Sequence, residues 1–220
     1  VDTVLRTKDL PISDSQKALL QAEVYLGLGN ERDKAIRSVQ EALRHGANSK
    51  DFEVVRQSAM MAQRLGENSL LRTALNVLEA SPVWRERALE GFYDLARQDH
   101  DLEGMRKTTE RILKVNPSSE RFLMEKVYLN LLTGNDMEAA AAESRKLEGS
   151  GKDTPTKQLL RAMAAYRDAD YNGAVRIAAG IDPGALDLGK RAILAGLVDL
   201  GGEARRAMQM VENISEVVLL

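Results

Sequence analysis

The sequence predicts an all-α fold made of about six stacked helix–turn–helix repeats, for two reasons. A small or apolar residue returns at steps of 37, 34, 34, 35 and 33 residues, and a turn residue, glycine in four of six cases, returns with the same five steps. Such a period is the signature of a repeat array, and because one helix pair cannot bury its apolar face alone, successive pairs must stack. The first place is filled by Ala22, Ala59, Tyr93, Val127, Ala162 and Ala195, and the turn by Gly29, Gly66, His100, Gly134, Ala169 and Gly202.

The repeats cover approximately residues 13–47, 50–81, 83–116, 118–149, 154–182 and 185–215. Ser13, with Gln16 three residues later, has the pattern of a capping box and predicts the start of the first helix. The turn glycine is expected to end each first helix, because glycine readily adopts the left-handed conformation of a helix C-cap. Gly46 is expected to end the second helix of repeat one in the same way. The second helices carry a further fixed place at Ala35, Leu71, Met105, Ala139, Ala174 and Ala207.

Charge and cysteine content narrow the possible functions. With 31 basic and 33 acidic residues, the chain has no global field that would attract nucleic acid or an anionic membrane. Cysteine is absent, which removes disulfides, thiolate metal sites and a cysteine nucleophile, but cytoplasmic and periplasmic proteins can both lack it. No apolar run approaches the length of about 20 residues that spans a bilayer.

The sequence is expected to form one domain, 1–220, that belongs to a longer polypeptide. It begins at Val1 without Met and ends in the apolar run from Val217 to Leu220. The segment from Glu148 to Asp153 is expected to be a loop and not a domain boundary, because the repeat register resumes at once. The exposed end of a repeat array normally needs a polar capping helix. We therefore expect that the longer protein covers the apolar end, or that the chain forms a homo-oligomer through it.

The sequence offers no candidate catalytic, cofactor or metal site, which predicts a non-enzymatic protein. His45 and His100 are expected at helix ends some 55 residues apart. The simpler interpretation is that His45 interacts with the dipole at the C-terminus of its helix and that His100 is a turn residue. Asp99, Asp101 and Glu103 surround His100 in a weakly metal-like cluster. Solvated turn charges are the simpler interpretation of that cluster as well.

The resemblance to a known family is clearest in repeat one. Its small, tyrosine, Leu-Gly, Ala-Ile and Ala-Leu places hold Ala22, Tyr25, Leu28, Gly29, Ala35, Ile36, Ala42 and Leu43. This order resembles the tetratricopeptide repeat (TPR) family, and Asp170 to Ala174 is similar to that family's aspartate-tyrosine turn. The resemblance covers about residues 13–214, and repeat three departs from it by lacking most small residues. It implies a right-handed superhelix whose first helices line a concave groove that binds peptides or proteins.

The residues that would face this groove follow from helical angles. At about 100° per residue, offsets −6, −3, +1 and +4 from the first fixed place lie within about 80° of one another. The stripe is polar in repeats two and three and apolar in repeats four and five. Its members are Glu53, Arg56, Met60, Gln63, Arg87, Glu90, Asp94, Arg97, Arg121, Met124, Tyr128, Leu131, Thr156, Leu159, Met163 and Tyr166. The candidate partner-binding residues are Arg56, Met60, Gln63, Arg87, Asp94, Arg97, Met124, Tyr128, Met163 and Tyr166.

Each part of the stripe also has a simpler interpretation. Methionine and tyrosine at helical spacing are often ordinary packing residues, and columns of arginine and glutamate are often a solvated face. The sequence therefore favours a protein-interaction scaffold that holds a peptide or protein segment in its groove. Two alternatives stay open, a helical-repeat RNA binder and a structural or oligomerisation module. The near-neutral charge argues against the first of these.

Overall fold

The computed structural model describes residues 12–148 and 152–212, with the side chains of residues 147 and 148 left aside. Over these residues the chain forms twelve α-helices and no strand. The predicted all-α fold of helix–turn–helix repeats is therefore confirmed. The chain divides into two compact units, Val1–Val115 and Asn116–Leu220, called unit 1 and unit 2 below.

Unit 1 contains three helix pairs, and neighbouring helices in the chain pack against each other. A capping box starts the first helix as predicted, because the Ser13 hydroxyl accepts a hydrogen bond from the N–H of Gln16 and the Gln16 side chain accepts one from the N–H of Ser13. The helices of unit 1 are α1 Asp14–Leu28, α2 Arg32–Ser49, α3 Phe52–Leu65, α4 Asn68–Glu79, α5 Arg85–Gln98 and α6 Leu102–Val115.

Unit 2 contains the other three pairs, with a short 3₁₀ turn at Pro183–Ala185 before the last pair. Its helices are α7 Glu120–Thr133, α8 Met137–Glu148, α9 Pro155–Arg167, α10 Tyr171–Ala179, α11 Leu188–Leu200 and α12 Ala204–Val211. None of the helices within residues 12–148 and 152–212 is long and apolar enough to cross a membrane.

The first fixed place is buried in all six repeats, from Ala22 to Ala195. The fixed place on the second helices is buried in five repeats, but Ala139 in repeat four is exposed and the prediction for this residue is wrong. Ala140 is buried there instead, with 1% of its surface exposed. The reason is an extra turn residue. Asn135 and Asp136 separate Gly134 from the start of α8, whereas one residue fills this interval in repeats two, three, five and six.

All six turn residues adopt the left-handed conformation, whether or not they are glycine. Their φ angles are 73°, 69°, 54°, 76°, 61° and 83° for Gly29, Gly66, His100, Gly134, Ala169 and Gly202. In repeats two, three, five and six the turn N–H donates to the carbonyl three residues back, and the next N–H donates to the carbonyl five residues back. This Schellman pattern satisfies carbonyls that the helix end leaves free. The turn prediction therefore holds at His100 and Ala169 as well.

The prediction that Gly46 ends α2 is wrong. The helix continues to Ser49, and the left-handed residue that follows it is Lys50, with φ 58°. Gly46 is buried within α2, where a Cβ atom would lie 3.0 Å from a Val54 methyl carbon. Its missing side chain lets α2 and α3 approach closely, which is a packing role and not a turn role.

Some predictions fall outside the described residues. They concern the loop at residues 149–151 and the apolar end at 213–220 with its possible homo-oligomer. The single-domain organisation and the right-handed superhelix over all six repeats also stay predictions.

Candidate partner-binding pockets

Unit 1 has a pocket of about 290 Å³ between α3 and α5, with α4 as its floor, here called the Trp84 pocket. Stripe residues from two successive first helices line it together. They are Arg56, Met60 and Gln63 on α3 and Arg87, Glu90 and Asp94 on α5. Arg97 is not among the lining residues. It lies exposed one turn after Asp94, and its guanidinium is 3.6 Å from the Asp94 carboxylate.

The floor of the Trp84 pocket is apolar and one of its ends is cationic. Leu71, Leu75 and Leu78 of α4 line the floor. At the start of α5 the guanidinium carbons of Arg87 and Arg56 lie 5.4 and 5.8 Å from the centroid of the Trp84 ring. At these distances the ring and the cations attract each other.

Arg56 is held in place by its own helix. Its Nε donates a hydrogen bond of 2.9 Å to Glu53, and a second guanidinium nitrogen lies 2.8 Å from the Met60 sulfur. The hydrogen bonds from Arg56 and Gln57 lower the pKa of Glu53 to about 2. Arg56 is therefore neutralised locally and contributes chiefly its flat guanidinium surface to the pocket.

Unit 2 has a larger pocket, of about 440 Å³, here called the apolar pocket. Three successive first helices, α7, α9 and α11, form it, and Arg167 is the one charged residue among those that line it. Two candidate residues are present, the buried Met163 and the exposed Tyr166. The lining residues are Leu131, Leu132, Met163, Tyr166, Arg167, Ile193, Gly196, Leu197 and Leu200.

Tyr128 does not offer an open surface, contrary to the expectation from the stripe. Only 7% of its surface is exposed, and Lys190 Nζ lies 4.7 Å from the centroid of its ring. Burial raises the pKa of the Tyr128 hydroxyl, and the nearby Asp187 and Glu125 carboxylates add to this effect. For Tyr128 the alternative interpretation as a packing residue fits the structure. Met124, half-buried one turn earlier, does not line the apolar pocket either.

Lys190 ties α11 to α7 beside Tyr128. Its ammonium group is 2.7 Å from a Glu125 oxygen and 2.8 Å from an Asp187 oxygen, and 9% of its side chain is exposed. Burial lowers the pKa of Lys190, but the attraction of Glu125 and Asp187 outweighs it and the net change is an increase. Lys190 therefore stays charged at neutral pH, and its ion pair with Glu125 joins α11 to α7 on the N-terminal side of the residues that line the apolar pocket.

The acidic side chains of the metal-like cluster near His100 are each engaged in other contacts. The Asp101 carboxylate accepts a hydrogen bond from the N–H of Gly104, Asp99 pairs with Arg72 at 2.5 Å, and Glu103 pairs with Arg106 at 2.8 Å. Within residues 12–148 and 152–212, no group of three or more His, Asp or Glu side chains could hold a metal ion.

The stripe missed several residues of the apolar pocket. Applying the same offsets to repeat six would have found Gly196, at +1 from Ala195. Ile193, Leu197 and Leu200 lie outside the offsets, because α11 presents a broader face than the stripe assumes. Arg167 was also missed. Its guanidinium donates hydrogen bonds of 2.9 Å to the carbonyls of Leu131 and Leu132, an interaction across 35 residues that no local pattern reveals.

Comparison with known proteins shows the fold of the chain. No protein-family model and no curated protein matches the sequence. The chain is similar in structure to a tetratricopeptide repeat protein from Parabacteroides merdae ATCC 43184, with a TM-score of 0.61 and 17% identity, over 91% of this chain and 78% of that one. It is also similar to PilW, a widely conserved type IV pilus biogenesis factor, with a TM-score of 0.49 and 15% identity, over 94% of this chain and 97% of that one. The likeness to the Parabacteroides merdae protein, together with the twelve helices of the described residues, shows that the chain has a TPR-like helical-repeat fold.

Proposed function

We propose that the chain is a non-enzymatic scaffold that binds a peptide or protein segment of a partner against its first helices. The observation that supports this most directly is the apolar pocket, where three first helices contribute to one concavity. Tyr166 and Leu200 are 42% and 49% exposed at this pocket. Large apolar side chains around a concave site are typical of surfaces that bind other molecules.

The size of the apolar pocket suits side chains of a protein partner. Its volume of about 440 Å³ falls in the range of about 300–1,000 Å³ that is usual for binding sites. Burying one leucine-sized side chain contributes about 1.5–3 kcal/mol. Two or three such side chains from one segment of a partner would support binding. The helices that form the pocket are already ordered, so they lose little conformational entropy when the segment binds.

The proposal assigns no reaction to the chain. Acid–base chemistry needs titratable groups brought close together, and the two histidines are separated, with His45 on α2 and His100 in the turn before α6. Among the described residues of unit 2, both buried lysines are engaged in ion pairs, Lys157 with Glu120 and Lys190 with Glu125 and Asp187.

A peptide-display selection tests the proposal. Random 12-residue peptides on phage are selected on the wild-type chain, and the enriched sequences are synthesised and measured by fluorescence anisotropy. We expect peptides with two or more large apolar residues, and we expect Leu200→Glu to weaken their binding by about tenfold or more, because a buried unpaired carboxylate is costly.

Met208→Glu on α12 is the matched control. Met208 is 71% exposed and is not a lining residue of either pocket, so this variant should bind the peptides like the wild type. Far-UV circular dichroism checks that both variants fold. Peptides whose binding is insensitive to Leu200→Glu, or equally sensitive to Met208→Glu, would show that the apolar pocket is not the binding site.

A further inference from the structure

We propose that the Trp84 pocket selects an amphipathic partner helix that carries an acidic and a basic side chain seven residues apart, with leucine-like residues between them. This inference rests on the proposed function and names the partner class for one of its two pockets. It follows from the order of charges along α5, the apolar floor on α4, and the ion pairs that the pocket residues make or lack.

The free charges of the pocket are separated along α5. Within residues 12–148 and 152–212, neither Arg87 nor Glu90 makes an ion pair, and Asp94 has only the long contact of 3.6 Å with Arg97. Arg56 is neutralised by Glu53. The pocket therefore presents a net positive charge at Arg87, beside the Trp84 ring, and net negative charge at Glu90 and Asp94.

The distance between the two charged ends of the pocket corresponds to about two turns of an α-helix. Arg87 and Asp94 are seven residues apart on α5, which corresponds to about 10.5 Å along the helix axis. A partner helix that lies along α5 has the same rise, so side chains at its positions i and i+7 reach the two ends together. Its positions i+3 and i+4 then face the middle of the pocket, as in other helix-in-groove complexes.

The floor of the pocket suits apolar side chains, although Glu90 adds one carboxylate between Arg87 and Asp94. Leu71, Leu75 and Leu78 form the floor, and Gly91 lies between Arg87 and Asp94 without a side chain to fill the space. A Cβ at Gly91 would lie 2.7 Å from a Leu75 methyl carbon, so the glycine is also needed for the contact of α4 with α5. Met60, 52% exposed, adds an adaptable apolar wall from α3.

The chain contains its own reporter for this pocket, because Trp84 is its only tryptophan. Four alanine-rich helical peptides of about 15 residues, long enough to form helix, would be titrated while Trp84 emission is recorded. All four carry leucine at i+3 and i+4 and lack tryptophan and tyrosine. They differ only at i and i+7, which hold Glu and Lys, Glu and Glu, Lys and Lys, or Gln and Gln.

We expect the Glu/Lys peptide to bind about five- to tenfold more tightly than the other three at low salt, since two exposed ion pairs form with it alone. Added salt should reduce the difference. Arg87→Glu should shift the preference to the Lys/Lys peptide. Glu90→Gln combined with Asp94→Lys should shift it to the Glu/Glu peptide.

The outcomes separate this inference from the proposed function. Equal binding of the four peptides would show an apolar pocket without charge selection and would overturn the inference alone. No change of Trp84 emission with any peptide up to about 1 mM would also overturn the inference. The proposed function is tested separately, by the effect of Leu200→Glu on peptide binding. A preference that the charge-changing variants leave unaltered would likewise refute the inference.

Discussion

Glycine-to-alanine substitution should have opposite effects on stability at two positions, Gly66 in a turn and Gly27 in a helix. Gly66 has a φ of +69°, and a Cβ atom added there would meet no heavy atom within 4 Å. Gly27 lies inside α1, and a Cβ atom added there would also meet nothing within 4 Å. Because neither site is crowded, the effects of Gly66→Ala and Gly27→Ala depend on the backbone conformation alone.

The expected changes are near 1 kcal/mol. A residue with a Cβ atom in the left-handed conformation costs roughly 1–2 kcal/mol, and replacing glycine by alanine returns about 0.4–1 kcal/mol through the less flexible unfolded chain. Gly66→Ala should therefore lower the free energy of unfolding by about 1 kcal/mol. Gly27→Ala, in a helix, should raise it by about 0.5–1 kcal/mol. Ala169→Gly is the opposite substitution, at a turn residue with a φ of 61°. It should raise the free energy of unfolding by about 1 kcal/mol.

Urea unfolding measures these differences. Trp84 emission reports unit 1 for the two glycine variants, and far-UV circular dichroism follows Ala169→Gly in unit 2. The midpoints should move while the denaturant slope stays constant, and the melting temperature should change by about 2–4 °C per kcal/mol. If Gly66→Ala and Gly27→Ala shift the midpoint in the same direction, or if Ala169→Gly lowers it, the turn conformation is not what selects glycine.

Three further predictions concern the ion pairs and the packing. Lys190→Ala should lower the free energy of unfolding by about 3 kcal/mol because it removes the cation that pairs with the mostly buried Glu125 carboxylate, and a change below about 0.5 kcal/mol would contradict this. Since the pKa of Lys190 is raised, the stabilisation by this pair should be constant around neutral pH and be lost only as the pH rises through that raised value. Gly91→Ala should cost about 1–3 kcal/mol by overpacking against Leu75, offset by the about 0.5–1 kcal/mol that alanine gains over glycine in a helix; its urea midpoint should therefore lie below that of Gly27→Ala, and an equal midpoint would show that Leu75 moves aside without cost. Carbon-detected NMR should find Glu53 titrating near pH 2, and at a higher pH in Arg56→Ala, where only the hydrogen bond from Gln57 is left to lower its pKa. The stabilisation by that pair is then present above pH 4.5 and lost as the pH falls through 2, and an Arg56→Ala spectrum with the same titration would contradict the assignment.

The fold could be predicted from the sequence because the same helix–turn–helix pattern recurs in all six repeats. His100 and Ala169 adopt the left-handed turn although neither is glycine, so the position in the repeat and not the residue type decides the conformation. One error arose where a single residue changes the register. The extra turn residue before α8 moved the buried place from Ala139 to Ala140, and spacing alone does not show on which side of a turn an insertion lies.

The pockets were less predictable than the fold. In the structure Met60 and Arg87, two residues of the stripe, line one pocket from two neighbouring first helices, because these helices share the same angular reference. The stripe could not show that a side chain from a later helix covers Tyr128. That lysine is 62 residues further along the chain, and the contact depends on how α7 and α11 approach across one intervening repeat.

Two buried lysines of unit 2, Lys157 and Lys190, hold its first helices together at one end. Lys157 and Lys190 each lie five residues before the first fixed place, at a position that is apolar and buried in repeat four, where it holds Phe122. A lysine can fill such a position because its stem packs like an aliphatic side chain while its ammonium group reaches outward. Here both ammonium groups pair with α7, at Glu120 and Glu125, at 2.7 Å each. These ion pairs hold the starts of α9 and α11 to α7, whereas the residues that line the apolar pocket lie towards the C-terminal ends of the three helices.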